Sequence, residues 1–152
     1  MNYTELINEK LIQVNINAES KRDALRKIAE LAFGAGRITD VNSYYEGLLE
    51  REKESTTGFG SGIAIPHAKI DEVVKPSICV AKLNKPVEWQ SLDDKPVKLI
   101  LALAVPTQQE GTLHLQLLAK LSENLMEEDF VYALLSAQSK KELYYTIYNV
   151  LK

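Results

Sequence analysis

The first third of the chain changes from strand-like to helix-like spacing of its apolar residues. Residues 10–16, KLIQVNI, alternate apolar and polar positions and predict a strand. Ser20 then predicts the cap of a helix whose apolar stripe ends near Gly34. Asp40 predicts the cap of a second helix through residues 41–52, VNSYYEGLLERE. This region therefore predicts one strand followed by two helices.

The middle of the chain predicts several strands of different character. After a glycine-rich stretch, IAI is a short strand that Pro66 is expected to end, because proline cannot donate to a sheet ladder. Residues 76–84, PSICVAKLN, and residues 86–89, PVEW, predict two further strands. Residues 97–106, VKLILALAVP, are apolar almost without alternation, which is typical of a central strand buried on both faces.

The last third predicts helices alone. From Thr112 onward, three segments have helical spacing and are separated by acidic or serine-rich caps. Helices before and after one nearly continuous apolar strand favour an α/β sandwich with a mixed central sheet. We expect a single domain over residues 1–152, with about five strands flanked by helices.

Composition narrows the class of protein. The net charge is −3 and the pI about 5.5, so the whole molecule offers no electrostatic attraction to nucleic acid or to an anionic membrane. The first residues form no apolar signal region, and no run approaches the roughly 18 apolar residues of a membrane span, which predicts a cytoplasmic protein. Cys79 is the only cysteine, and its apolar surroundings predict a buried strand thiol.

The segment TTGFGSG places three glycines at alternate positions before the IAI strand. Backbone amides at Gly58, Gly60, Ser61 and Gly62 could turn inward and bind an anion such as phosphate, because glycine permits positive φ and close backbone approach. The spacing matches neither the P-loop nor a dinucleotide fingerprint. The alternative is a flexible turn between a helix and a strand.

Three side chains could carry chemistry. His67 follows Pro66, and a neutral imidazole is a competent nucleophile near pH 7; the alternative is a partly buried histidine bonded to backbone. His114 lies in the first turn of a predicted helix, where a core role is the alternative. Arg51 could bind phosphoryl oxygens in bidentate fashion or be a solvated charge, and Lys69 ranks below it. Two histidines, with no His-Glu-x-x-His pair, predict no metal site.

Three motifs together resemble a known family. They are REKESTTGFGSGIAIPHAK, VEWQSLDDKPVKLILALAVP and HLQLLAKLSENLMEEDF, and they are similar to the type 2 enzyme IIA component, the fructose-mannitol class, of the bacterial phosphoenolpyruvate-dependent sugar phosphotransferase system. In layout the resemblance covers essentially the whole chain. It implies a mixed sheet flanked by helices and a phosphotransferase component that carries a phosphoryl group on His67. It also implies that His114 and Arg51 lie beside that group.

The resemblance also implies partners. A histidine-containing phosphocarrier protein donates the phosphoryl group, and a cysteine of a sugar-specific IIB domain accepts it. No cofactor is implied, and the membrane is involved only indirectly, through the IIC transporter. We expect Nε2 of His67 to attack while a backbone carbonyl holds Nδ1, and apolar residues such as Phe59 and Ile63 to form the docking surface.

Two other readings of the chain stay open. The fructose branch of transport is favoured, but a nitrogen-related regulatory protein would share the phosphorylated histidine and act by binding partners according to its phosphorylation state. A plain α/β binding domain with a glycine turn is the third reading. The transported sugar, whether fructose, mannitol or galactitol, is left open because this subunit carries phosphate and need not touch the sugar.

Overall fold

Six strands and five helices make up the part of the chain that a computed structural model describes, residues 4–109 and 111–152. Short 3-10 turns at Thr4–Leu6 and Glu9–Leu11 precede them. The strands are β1 Ile12–Ile16, β2 Gly58–Gly60, β3 Ile63–Ala64, β4 His67–Ile70, β5 Ser77–Val87 and β6 Val97–Pro106. The helices are α1 Lys21–Gly34, α2 Val41–Glu54, α3 Leu113–Leu125, α4 Glu128–Ser136 and α5 Lys140–Leu151.

The two predicted N-terminal helix caps are confirmed. The Ser20 hydroxyl accepts a hydrogen bond of 3.1 Å from the amide of Asp23, and the Asp40 carboxylate accepts one of 2.8 Å from the amide of Ser43. Each bond satisfies a backbone donor that the first turn leaves without a helical partner. Side chains close to the helix in sequence therefore fix where α1 and α2 begin.

The sheet is mixed, as the sequence predicts. Its order is β1-β5-β6-β3-β2, and β4 pairs with the same edge of β6 as β3 does, further along that strand. β1 is parallel to β5, β5 is antiparallel to β6, β3 and β4 are parallel to β6, and β2 is antiparallel to β3. Because β3 and β4 lie end to end along β6, the sheet is five strands wide.

The helices cover both faces of the sheet and make an α/β sandwich. The core on one face combines α1 and α2 with alternate residues of β6, including Ile100 and Ala102. The core on the other face combines α3, α4 and α5 with the intervening residues Leu99 and Leu101. β6 is thus buried on both sides, which confirms the predicted central strand. No helix among the described residues is long and apolar enough to cross a membrane.

One strand boundary differs from the sequence prediction and one strand was missed, and each lies beside a proline. Pro86 was expected to begin a separate strand, but it lies inside β5, beyond the last residue that β1 pairs with. Pro66 was expected to stop the short strand IAI, and β3 does end at Ala64, but the sequence prediction missed β4, which begins at His67 directly after Pro66. The Pro66 carbonyl accepts a hydrogen bond of 2.9 Å from the Leu103 amide. Pro66 contacts β6 through its carbonyl, which proline retains, and Pro86 lies in the irregular stretch of β5 between Lys82 and Val87, where the pairing with β6 shifts register. Proline is tolerated at such positions.

Cys79 is buried in β5, as predicted. Burial raises the pKa of its thiol to about 12, and the positive charge of Arg37 opposes that increase. The reactive form of cysteine is the thiolate, so this side chain is a packing residue.

Candidate active site

His67 is the first residue of β4, and its backbone is fixed by the central strand. It lies in register with Leu103 of β6, directly after the hydrogen bond that joins Pro66 to the same residue. The side chain is half-buried, and its Nδ1 is buried with no hydrogen bond to the described residues. The structure therefore fixes the backbone of His67 at the edge of the sheet and leaves its imidazole half-buried.

His114 lies next to His67, although the two are far apart in sequence. It belongs to the first turn of α3, and its ring centroid is 6.1 Å from that of His67, with the planes inclined by 35°. Its Nδ1 is also buried without a hydrogen-bond partner in the described part of the chain. The predicted second histidine is therefore beside the first rather than in the core.

Arg51 reaches the same place from the last turn of α2. Its Nη1 donates to the carbonyl of Ser55 at 2.9 Å and to the hydroxyl of that residue at 3.4 Å. Both bonds use one nitrogen of a guanidinium that has five N–H donors, and they hold the side chain at the helix end. Its positive charge acts on His67, because it lowers the pKa of that imidazole.

The environment keeps both imidazoles neutral near pH 7. Burial is the largest cause that lowers the pKa of His67, followed by the charges of Arg51 and His114, while the Ile65 carbonyl and Glu54 oppose them. Burial and the charge of Lys69 lower the pKa of His114. A neutral ring keeps a lone pair free for attack on an electrophile.

The expected backbone contact at His67 is only partly formed. The Ile65 carbonyl lies close enough to raise the pKa of the ring. Nδ1 nevertheless makes no hydrogen bond of ordinary geometry to the described residues, so the contact is not a full hydrogen bond. The attacking nitrogen therefore stays a prediction.

Two clefts meet at His67 and Arg51, which line both of them. The first cleft has a mainly charged and small-residue lining, formed by Gly47, Glu50, Arg51, Glu54, His67, Ala68, Lys69, Ile70 and His114. The second has an apolar and hydroxyl lining, formed by Arg51, Thr56, Thr57, Gly58, Phe59, Ile65, His67, Leu92, Leu118 and Ser122. A charged group bound to His67 thus has polar partners on one side and apolar surface on the other.

The match to a family model decides the family. Residues 5–150 match the model described as phosphoenolpyruvate-dependent sugar phosphotransferase system, EIIA 2. The chain belongs to this family. The resemblance carried by the three sequence motifs is confirmed over almost the whole chain.

Relatives of two kinds are similar to this EIIA 2 chain. The PTS system fructose-specific EIIA component of Haloferax volcanii is 42% identical over 132 residues, which cover 87% of this chain and 85% of that protein. The nitrogen regulatory protein of Escherichia coli K12 is 35% identical over 146 residues, covering 95% and 88%. The crystal structure of nitrogen regulatory protein IIA-Ntr from Neisseria meningitidis has a TM-score of 0.85 at 26% identity and covers 98% of both chains. Both branches of the family, sugar transport and nitrogen regulation, are represented among these relatives.

The glycine segment of this EIIA 2 chain is a hairpin rather than an open anion loop. Gly58 lines the second cleft, but Gly60, Ser61 and Gly62 line neither cleft. The Ser61 amide already donates to the Asp93 carboxylate at 2.9 Å. This geometry gives no support to phosphate binding by Gly60, Ser61 and Gly62, and Gly58 keeps that role only as a prediction.

Gly58 has a packing reason to be glycine. A Cβ at this position would lie 2.4 Å from the Ser91 hydroxyl oxygen and 2.8 Å from the Ser91 Cα. No side chain fits at such distances without moving the backbone. The glycine requirement inferred from the sequence is therefore explained by the close approach of β2 to the loop that carries Ser91.

Of the two residues predicted to form the docking surface, Phe59 lies at the site, and the prediction for Ile63 is wrong. Ile63 is completely buried between the sheet and its helices, so it cannot touch a partner. Phe59 is half-buried and lines the second cleft, beside Leu92, which is 76% exposed. Sequence reasoning missed Leu92 because one apolar residue in a polar loop carries no periodic signal.

Two charged residues also act at the site. Sequence reasoning missed Glu54, which lies three residues after Arg51 and thus on the same side of α2. Lys69 was ranked low, yet it follows His67 by two residues in β4, a spacing that places both on one side of a strand. Helical periodicity around Arg51 and strand periodicity around His67, the two predicted site residues, could have found both.

A larger cavity lies away from the histidines. Its volume is about 530 Å³, and it lies between β1 and α1, where its described lining includes Lys10, Lys27 and Glu30. Among the described residues that line it there is no histidine, cysteine or serine. Size alone does not make it the reactive site, so the candidate site is the one at His67.

Proposed function

We propose that this EIIA 2 chain is a phosphohistidine carrier that accepts a phosphoryl group on His67 and passes it to a second protein. The observation that carries the proposal is the grouping of a neutral, half-buried imidazole with Arg51 and His114 at one pair of clefts. Membership of the EIIA 2 family supports the same chemistry.

The transfer is a displacement at phosphorus. A lone pair of His67 attacks the phosphorus atom, the new N–P bond forms, and the bond from phosphorus to the donor breaks with its electron pair returning to the donor. Burial of Nδ1 favours Nε2 as the attacking atom. Little bond-making help is needed from the protein in such a loose transition state, so positioning and charge stabilisation dominate.

Arg51 and His114 supply that stabilisation. The guanidinium of Arg51 keeps its charge at any physiological pH and offsets the negative charge of the phosphoryl oxygens. His114, as a neutral ring, donates one N–H to a phosphoryl oxygen. Both groups already line the first cleft with His67, so they need no large movement to act.

The donor in this proposal is a histidine-containing phosphocarrier protein, and the acceptor is the cysteine of a sugar-specific IIB domain. The fructose branch is favoured by the identity of 42% to the Haloferax volcanii component. Partners would dock on the apolar second cleft, where Phe59 and Leu92 are accessible.

A regulatory role is the second candidate. The identity of 35% to the Escherichia coli nitrogen regulatory protein favours it, since that relative covers nearly the whole chain. In this case the phosphoryl group on His67 would control binding to another protein instead of being passed on during transport.

Incubation with the phosphorylated phosphocarrier protein tests the carrier role. The wild-type chain should take up phosphate, His67→Ala should take up none, and His114→Ala should keep its fold while accepting phosphate more slowly. Arg51→Lys should also be slowed clearly, because it keeps the charge and loses the planar fork. Phosphate uptake by His67→Ala at the wild-type rate would contradict the proposal.

Transfer from the phosphorylated chain to a panel of sugar-specific IIB domains separates the two candidates. Rapid loss of the phosphoryl group to one fructose-type IIB domain is the result expected of a transport component. A chain that is phosphorylated normally but passes phosphate to no IIB domain would favour the regulatory role.

A further inference from the structure

Gly47 occupies a helix position that glycine does not favour. It lies inside α2, where glycine costs about 1 kcal/mol relative to alanine, and no positive φ requires it there. A Cβ at Gly47 would lie 3.0 Å from the Cβ of Ala68 and 3.3 Å from Cγ2 of Ile70. The reason for glycine is therefore the close approach of α2 to β4.

The contact lies next to the candidate nucleophile. Ala68 directly follows His67 in β4, and Gly47 and Ala68 both line the first cleft. Tyr44, one turn earlier on α2, is completely buried and donates its hydroxyl to the Leu103 carbonyl at 2.9 Å. Leu103 is the residue of β6 that pairs with His67.

One face of α2 is therefore fixed against the strands that carry His67. Tyr44, Gly47 and Arg51 are spaced three and four residues apart, which places them on the same side of the helix. Tyr44 ties this face to β6, and Gly47 sets its distance from β4. Arg51 is the next residue along the face, and it lines both clefts at His67.

We propose that Gly47 is a positioning residue for phosphoryl transfer, because its missing side chain lets α2 lie close enough to β4 for Arg51 to bind the phosphoryl group on His67. The proposal rests on the phosphohistidine role of the chain. Gly47 itself makes no contact with phosphate. It acts through the separation of α2 and β4.

Helix propensity alone predicts the opposite outcome for the same substitution. Alanine is the better helix former, so Gly47→Ala would stabilise α2 if the surroundings could move freely. If the contact with Ala68 sets the position of Arg51, the helix must shift by a few tenths of an ångström. A misplacement of about 1 Å costs roughly 10²-fold in rate, so this smaller shift should cost about three- to tenfold.

The test compares single-turnover phosphate uptake from the phosphorylated phosphocarrier protein, with thermal unfolding measured on each variant. Gly47→Ala should be about three- to tenfold slower than wild type. Gly34→Ala is the matched control, since Gly34 is the last residue of α1 and a Cβ there would have nothing within 4 Å. The Gly34→Ala variant should transfer at the wild-type rate.

A second change should restore the rate. Ala68→Gly removes the methyl group that the Gly47→Ala side chain would press against, so the double variant should regain most of the transfer rate. A glycine inside a strand weakens it, so the double variant should be less stable than wild type even while its rate recovers. This split between rate and stability separates positioning from a general effect on folding.

The effect should also depend on Arg51. In an Arg51→Ala background, Gly47→Ala should cause little further loss, because residues that act through one another are not additive. An unchanged rate in Gly47→Ala, no rescue by Ala68→Gly, or an equal loss in the Arg51→Ala background would overturn the role of Gly47. A wild-type chain that takes up no phosphate would overturn the proposed function as well, which distinguishes the two failures.

Discussion

At the level of single residues, the proposed chemistry places two opposite electrostatic requirements on the site. In the proposed carrier, His67 must be neutral to attack phosphorus, and it must then hold a negatively charged phosphoryl group. Burial and the charge of Arg51 lower the pKa of the ring, which meets the first need. We propose that the same guanidinium meets the second need, because it would attract the oxygens of a phosphoryl group on His67.

Replacing Arg51 should change the titration of His67. Arg51→Gln removes a positive charge that lowers the pKa of His67, so that pKa should rise toward the ordinary value of about 6.5. NMR titration of the imidazole signals measures it. Arg22→Gln removes the same charge from an exposed position of α1 and should leave His67 unchanged. An equal shift in both variants, or in neither, would contradict the coupling.

The chemical capacities of single residues were the part of the candidate site that could best be predicted from the sequence. The position of His67 after proline and the bidentate capacity of Arg51 could be argued from residue types. The approach of His114 to 6.1 Å could not, because only the folded sheet and α3 bring the two rings together. The family resemblance was the basis for expecting His114 beside the group carried by His67.

At the scale of elements, a buried polar network holds the wall of the second cleft. The Glu52 carboxylate, at the end of α2, lies 2.7 Å from Nζ of Lys21 and accepts hydrogen bonds from the amide and the hydroxyl of Thr57. The Thr57 hydroxyl in turn accepts one of 3.4 Å from the indole of Trp89. The network joins α1, α2 and two loops directly behind Gly58.

Glu52→Gln should destabilise the fold. It removes a charge from a side chain that is only 5% exposed and leaves Lys21 without its ion-pair partner, although Nζ of Lys21 keeps its hydrogen bond of 3.3 Å to the Trp89 carbonyl. Because Lys21 keeps 23% exposure, water compensates in part, and we expect a loss of about 1–3 kcal/mol in the free energy of unfolding. Urea denaturation measures it.

Glu50→Gln is the matched control on the same helix. Its pair with Lys53 has an N–O distance of 2.8 Å, but the two side chains are 68% and 69% exposed. Exposed pairs contribute less than about 1 kcal/mol. Equal losses for the two substitutions would show that the Glu52 network adds nothing to stability.

The elements themselves were largely predictable, and the exceptions have one physical cause. Caps at Ser20 and Asp40 depend on local hydrogen bonds, and β6 is buried on both faces, so each leaves a pattern in the sequence. Strand β4, directly after Pro66, was missed, and the strand start expected at Pro86 lies inside β5. Proline loses one N–H and keeps its carbonyl, so whether a sheet continues past it depends on the pairing with the neighbouring strand, which the residues of one strand do not reveal.

At the scale of the whole molecule, the site draws on both layers of the sandwich. Arg51 comes from α2, which packs on one face of the sheet, and His114 from α3, which packs on the other. His67 lies between them at the edge of the sheet. Folding therefore creates the low-pKa environment of both histidines, and stability must depend on pH.

Stability should fall as the pH falls below about 6.5. Both histidine pKa values are lower in the folded chain than the ordinary value, so the unfolded chain binds more protons in that window and gains stability relative to the fold. The carboxyls of Asp40 and Asp93, whose pKa values are also lowered, act only below their ordinary value of 3.8. The pH range in which the histidines affect stability is therefore separate from that of the two aspartates.

Urea unfolding between pH 7.5 and 5 checks this sign. The free energy of unfolding should decrease with falling pH in the wild-type chain, and a His67→Gln, His114→Gln double variant should show a flatter dependence. A wild-type chain whose stability is constant or increases over this range would contradict the lowered pKa values. Equal slopes in both chains would assign the dependence to other groups.

We propose that His67 carries the phosphoryl group, and mapping the phosphorylated residue is the direct test of this proposal. NMR of the chain with ¹⁵N-labelled histidine, after incubation with the phosphorylated phosphocarrier protein, identifies the modified ring and nitrogen. We expect one phosphoryl group per chain, on Nε2 of His67, with His114 unmodified. A phosphoryl group on His114 with His67 unmodified, or on no histidine, would contradict it.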